Sequence, residues 1–287
     1  PKVVSELVAQ KIPALYGDAG DPEVLESLNL RQAKLIVSKA TFIDNNLITD
    51  NLIESNLHGL VIRESSGNEI RDNEIRDNEN DLMVSPYENE HCDNIIEDNS
   101  GTDNKPILYY NEQVNLENLN PSELILCNAD NSILNDIVIN NGDKKNNGLL
   151  IYKTDDSSFS EVRLDSTRLG FYFVESNNNV INNSSSNNSS YNGVYIYGNY
   201  NEIYNSNFNF NGDSGIFLKN QANFNIISNN NMEHNGEAGI LLEGVDSNLI
   251  SYNIINNNEL DGIYLDHSDF NNITKNDINE NSYGIYI

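Results

Sequence analysis

From Gly148 onward the chain repeats one pattern of apolar and polar positions every 22 to 24 residues. A glycine opens each unit, at Gly148, Gly170, Gly193, Gly215, Gly239, Gly262 and Gly284. The first and third positions after it are apolar: Phe171 and Phe173, Val194 and Ile196, Ile216 and Leu218, Ile240 and Leu242, Ile263 and Leu265, Ile285 and Ile287. Alternation of period two predicts a short strand whose +1 and +3 side chains enter a core while +2 faces out. A second marker, Asn-x-Ile, keeps the same period at Asn179, Asn201, Asn225, Asn248 and Asn271. Two registers locked to one period predict a solenoid, each repeat being one coil of about three strands parted by Asn, Ser and Gly corners. Asparagines at equivalent corners can form amide ladders along the axis and tolerate left-handed backbone.

The template extends upstream. Residues 46–51, 68–73 and 94–99 repeat it. Residues 104–132 are irregular, with strands expected at 105–110 and 123–127 and a longer excursion between them. The expected architecture is mainly β: a right-handed parallel β-helix of about ten coils over residues 43–287. Residues 1–42 do not share the period. Residues 3–8 have helical spacing and 12–16 form a short strand. Residues 21–28 are a helix with Asp21 as N-cap and Pro22 in its first turn, and 33–38 are a buried-type strand. That order reads as part of a parallel α/β unit, or as a cap on the open end of the solenoid.

Two resemblances follow from quoted residues. Ile12-Pro13, Tyr16-Gly17-Asp18-Ala19, Asp21-Pro22-Glu23-Val24-Leu25 and Ala33 to Ser38 resemble the TrkA-N (RCK) nucleotide-binding domain of potassium transport regulators. That resemblance implies a cofactor role for Asp18, near the adenosine of a bound nucleotide. The family's glycine-rich phosphate turn has no counterpart here, so nucleotide binding is not expected. The Asn-x-Ile-x-x-Asn units and Gly-Ile-x-Leu strands resemble the NosD-like, PbH1-repeat β-helix family, which is abundant in archaeal surface proteins and related to carbohydrate-binding and sugar-hydrolysing helices. The resemblance implies the pectin lyase-like fold far more than any one activity.

Composition narrows the partners. Sixteen Lys and Arg stand against 44 Asp and Glu, a formal net charge of −28. Such a surface repels phosphate backbones, anionic lipids and bare polyuronates, so no nucleic-acid or membrane-surface role is expected. No apolar run reaches the length of a membrane span. Cys92 and Cys127, 35 residues apart, fit neither a disulfide framework nor a zinc signature. Sequons at Asn182, Asn183, Asn187, Asn188 and Asn272 are expected by chance in so Asn- and Ser-rich a chain. Pro1 in place of Met, and an apolar strand at Ile287, read as a segment of a longer protein.

Candidate chemistry was sought along the stacked columns. A β-helix enzyme acting on acidic sugars needs a base, a proton donor and a cation for the carboxylate, or clustered carboxylates for hydrolysis. The cations Lys153, Arg163, Arg168, Lys219 and Lys275 do not share one column, and neither do His234 and His267. Asp266-His267-Ser268-Asp269 reads as a polar corner, and His58 and His91 as surface residues. Copper would want clustered His, Met or Cys, which two methionines and four scattered histidines do not supply. No catalytic residue is assigned. Asp213, Glu237 and Asp261, just before the marker glycines, could hold Ca²⁺, or form a solvated acidic edge. The +2 column reads Leu150, Tyr172, Tyr195, Phe217, Leu241, Tyr264, Tyr286. Its rings Tyr172, Tyr195, Phe217, Tyr264 and Tyr286 suit the apolar faces of sugars or a protein surface, or reinforce the sheet by stacking on one another.

Three functions stand at this point. One is a non-catalytic surface or exported module for binding or structure, directed at carbohydrate if its rings match sugars. The second is a divergent carbohydrate-active lyase, epimerase or hydrolase. The third is a fragment of a nucleotide-sensing potassium transport regulator. The β-helix suggests an extracellular or cell-surface place, and the first 42 residues a cytoplasmic one.

Overall fold

The computed structural model describes residues 45–142, 146–220 and 222–287, and the backbone of residues 36–39. It is a right-handed parallel β-helix of about ten coils. The expected helices and strand of residues 1–35, and Asp18 with them, lie outside the described residues. The strand Ile36–Lys39 pairs parallel with Leu60–Arg63, which pairs with Leu82–Ser85, so the sheet system begins ahead of residue 43.

The regular coils share a nine-stranded sheet. It runs from Ile107–Tyr110 and Glu123–Cys127 through Leu149–Tyr152, Phe171–Val174, Val194–Tyr197, Ile216–Lys219, Ile240–Glu243 and Asp261–Asp266 to Tyr283–Tyr286. All these neighbours are parallel, and the marker register is kept from coil to coil: Phe171 opposite Val194, Val194 opposite Ile216, Ile216 opposite Ile240, Ile240 opposite Ile263. The +1 and +3 residues from Phe171 to Leu265 are buried in one core, as the alternation predicts. Ile285 and Ile287, in the last coil, are exposed. The marker glycines sit where successive coils approach most closely. A Cβ on Gly215 would lie 2.8 Å from the carbonyl oxygen of Gly239 and 2.8 Å from Met232 Cγ.

In the regular coils, buried ladders hold the corners. Asn201 donates its backbone N–H to Asn225 Oδ1 (2.8 Å), Asn225 to Asn248 (2.8 Å) and Asn248 to Asn271 (2.9 Å). A second ladder runs Ser184, Ser206, Asn230, Asn253, Asn276, and a third Ser189, Asn211, Asn235, Asn258, Asn281. The amide Nδ2 of Asn225 donates back to the carbonyl of Gly198 at 3.1 Å. Each side chain thus satisfies backbone groups that a bend would otherwise leave buried and unpaired. The residue before a ladder position turns the corner in the left-handed region: Tyr200, Phe210, Phe224, His234 and Tyr252 have φ between 57° and 59°.

The described residues form two cores, and a shared wall separates them. The strand Ile107–Tyr110 pairs with Glu123–Cys127, and Leu82–Ser85 ends its own three-stranded sheet. The outer face of the nine-stranded sheet is therefore covered at this end by the first coils. Leu124, Leu126, Leu149 and Ile151 face the second core, while Ile125, Cys127, Leu150 and Tyr152 face the first. All five residues of Glu123–Cys127 are buried.

Two expectations are corrected here. Leu150, the first member of the supposed outward column, is 1% exposed because the first core lies against it. Cys92 and Cys127 form a disulfide and have no exposed surface. The spacing concealed the bond because the packing of a first unit of coils, residues 45–99, against the outer face of a second unit, the coils from residue 105 onward, brings the two cysteines together, and no repeat does.

Candidate functional site

The exposed part of the nine-stranded sheet carries the +2 column, with rings at Tyr172, Tyr195, Phe217, Tyr264 and Tyr286. Tyr172 stacks on Tyr195 with centroids 4.8 Å apart and planes at 23°, and Tyr195 meets Phe217 edge-on at 5.4 Å. Leu241 interrupts the file, and Tyr264 and Tyr286 resume it at 5.1 Å. These rings are half-buried except Tyr286, which is exposed. Strand geometry places the next outward column beside them: Tyr197, Lys219, Glu243, Asp266. Lys219 bridges to Glu243 at 3.1 Å and lies 5.4 Å from the centre of the Phe217 ring.

Burial raises the phenols. The Tyr195 hydroxyl is pushed up to about 12, first by burial and then by its neighbours Tyr172, Glu243 and Tyr197, and burial raises Tyr172 as well. Both keep their protons at neutral pH. They can donate and accept hydrogen bonds through the hydroxyl and stack through the ring, but they are poor bases there.

At its Tyr172 end the file runs into a pocket of about 370 Å³ between the two units. The first unit contributes Asn80, Met83, Ser85 and Pro86; the sheet contributes Leu150, Tyr152 and Tyr172; Arg168 and Tyr191 form a rim. The Arg168 guanidinium carbon lies 4.9 Å above the Tyr191 ring. Backbone hydrogen bonds set a further column beside the file. Tyr191 donates to Arg168, Asp213 to Tyr191, Glu237 to Asp213 and Leu260 to Glu237.

That register decides the acidic candidates. Asp213 and Glu237 are stacked, and burial raises both carboxyls, with Asp213 adding to the rise at Glu237. Asp261 does not join them: Gly239 donates to its carbonyl, which puts it one column over, and Leu260 takes the place in the stack. Its carboxyl is raised by burial alone. A one-residue offset in a strand turns the side chain to the other face, so the proposed trio is a pair. Among the described residues no group of three His, Cys, Asp or Glu side chains is placed to hold a metal.

The histidines are dispersed. His234 stacks on Phe210 at 5.0 Å, His58 Nδ1 lies 2.9 Å from Asn80 Nδ2, and His91 Nδ1 accepts the N–H groups of Tyr87 and Glu88. His267 Nδ1 lies 2.5 Å from Asp266 Oδ1 in an exposed corner beside Tyr264 and Tyr286.

Three features escape a reading by columns. Glu123 is wholly buried and accepts the Leu82 N–H at 3.2 Å and Asn147 Nδ2 at 2.9 Å. Asp81, also buried, accepts Thr102 Oγ1 and Asn146 Nδ2, each at 3.0 Å. Both lie where the units meet, outside the regular period. The corner rings Tyr200, Phe224 and Phe270 were in plain sight: each immediately precedes a marker asparagine, and Tyr200 stacks on Phe224 at 5.1 Å.

No curated protein matches this chain significantly. Among solved structures, a point mutant of the periplasmic alginate epimerase AlgG aligns with a TM-score of 0.51 and 11% identity, over 94% of this chain and 89% of that one. The unmutated AlgG aligns at 0.49 and 10%, over the same shares. The A-module of the Azotobacter vinelandii mannuronan C-5 epimerase AlgE4 aligns at 0.36 and 14%, over 88% of this chain and 81% of that one. At such identities the likeness is one of fold. Residues 147–287 match the family model described as a right handed beta helix region, and the regular coils of this chain are such a helix.

Proposed function

We propose that this chain is a non-catalytic, exported β-helix module that binds a glycan along its ring file. The observation that carries the reading is the unbroken contact of Tyr172, Tyr195 and Phe217 on an open sheet face. Rings at coil spacing match the repeat of a sugar chain, and each can contribute ~1 kcal/mol. Tyr172 and Tyr195 hold their protons, and no histidine is among the described residues lining the pocket at Tyr172, which favours binding over proton abstraction there. Export is supported by the buried disulfide, a bond that persists in oxidising compartments. The carbohydrate direction is supported by the fold likeness to the point mutant of the periplasmic alginate epimerase AlgG and by the NosD-like repeat pattern. The test is affinity electrophoresis against immobilised polysaccharides, with Tyr195→Ser/Phe217→Ser as the variant. The expected result is loss of retardation with a nearly unchanged melting temperature. Undiminished retardation, or release of unsaturated or epimerised product by the unaltered protein, would overturn the reading.

A further inference from the structure

We propose that the pocket at the Tyr172 end of the ring file seats the end residue of a glycan, and that Arg168 selects an end residue carrying a single carboxylate. The proposal rests on the glycan-binding reading and adds to it which part of the chain is read, and by what chemistry.

The first argument is a dead end. The file is open through Phe217, Tyr195 and Tyr172, but Leu150, next in line, is covered by the first unit. Met83, Ser85 and Pro86 stand across the path as the far wall of the pocket. A polymer laid along the rings cannot continue past that wall, so the residue that enters is terminal. At about 370 Å³ the space falls within the ~300–1,000 Å³ of small-molecule sites.

The second argument is charge. This chain carries 44 acids and 16 Lys and Arg. Arg71, Arg76 and Arg163 are each paired with carboxylates. Arg168 has no carboxylate partner among the described residues, and no Asp or Glu is among the residues lining its pocket. Tyr191 supports the guanidinium from one face and leaves its edge donors to a ligand. A carboxylate offers the paired acceptors that those donors fit.

The third argument is the order along the rim. The column beside the rings reads Arg168, Tyr191, Asp213, Glu237 toward the middle of the file. A carboxylate is attracted at the pocket and repelled further along. The groove thus accepts one acid at the end of a neutral chain and disfavours a chain acidic throughout.

The experiment is isothermal titration with neutral hexose tetrasaccharides bearing one carboxylate at the non-reducing end, at the reducing end as an aldonic acid, or internally. All-neutral and all-uronate tetrasaccharides complete the set. One of the two end-acid ligands should bind roughly tenfold or more tighter than the internal-acid, neutral and all-uronate ligands. Arg168→Gln should bring the end-acid ligands down to the affinity of the neutral ligand measured on the same variant. Ser85→Trp, which fills the pocket, should abolish the preference too and weaken the neutral ligand along with it. Equal binding of internal-acid or all-uronate ligands, or a preference that survives Arg168→Gln in a folded variant, overturns the proposal. A separate arm uses methyl glucuronide, which needs no ring file, with NMR of the aromatic resonances. Shifts at Tyr172 and Tyr191 that vanish in Arg168→Gln support the pocket; no shift at millimolar ligand overturns it. If Tyr195→Ser/Phe217→Ser keeps full tetrasaccharide affinity, the ring-file reading falls, and the methyl glucuronide arm judges the pocket independently.

Discussion

Asn146 and Asp81, 65 residues apart in the chain, are joined by two hydrogen bonds: the Asp81 N–H donates to Asn146 Oδ1 at 2.9 Å, and Asn146 Nδ2 donates to Asp81 Oδ2 at 3.0 Å. The same Nδ2 lies 3.4 Å from Glu123 Oε2, so one amide serves two buried carboxyls where the units meet. Burial pushes Glu123 up to about 8 from an ordinary 4.5, and Asp81 up to about 6 from 3.8. In the unfolded chain both titrate in the usual range. Between about pH 4 and 8 the folded state therefore binds more protons than the unfolded state, and stability falls as pH rises through that window. Below it the two states are equally protonated and the effect is constant. The melting temperature should decline from pH 5 to 8.5, and Glu123→Gln should flatten the part of the decline above pH 6. A parallel, undiminished slope in the variant would show that general charge repulsion accounts for it.

The disulfide between Cys92 and Cys127 closes a loop of 35 residues beside the same joint. Loop-closure entropy predicts that its removal costs about 3–4 kcal/mol. Cys92→Ser/Cys127→Ser should lower the urea midpoint accordingly, and reductant should have no further effect on that variant.

The ladders predict an asymmetry between substitutions. Asn230 accepts the Ser206 N–H at 3.0 Å and donates to the carbonyl of Ile203 at 2.8 Å. Asn230→Ala leaves those buried groups unpaired and should cost about 2–4 kcal/mol. Asn230→Ser should cost clearly less, because Ser184 and Ser206 hold the equivalent positions in the same ladder. Chemical denaturation of the two variants gives the comparison.

Phe270 turns a corner at φ 56° while 87% exposed. A bulky residue in that backbone region is unfavourable by roughly 1–2 kcal/mol, and asparagine tolerates it better. Asn178 occupies the equivalent corner four coils earlier, at φ 55°. Phe270→Asn should raise the stability of the last coils, read as slower amide exchange there. Faster exchange would show that the ring makes a stabilising contact.

Much of this molecule is written in the order of its residues. A strand of four residues with period-two alternation has one way to bury its apolar face, so Phe171, Phe173 and their successors had to point inward and Tyr172, Tyr195 and Phe217 outward. Stacking equivalent residues then places the rings and the ladder asparagines in files without further information. Local repetition determines these features because each coil contacts its neighbours through the same positions.

What escaped that reading depends on contacts between parts of the chain that share no register. The burial of Leu150, the Cys92–Cys127 bond, the buried Glu123 and the pocket at Arg168 all arise where the first coils fold against the outer face of the second sheet. Asp261 failed to join Asp213 and Glu237 for a smaller reason of the same kind, since a one-residue offset in hydrogen-bonded register changes the column. The period specifies how one coil lies on the next; how the first coils pack against the outer face of the long sheet is decided by surfaces distant in sequence, and that is a property of the folded molecule alone.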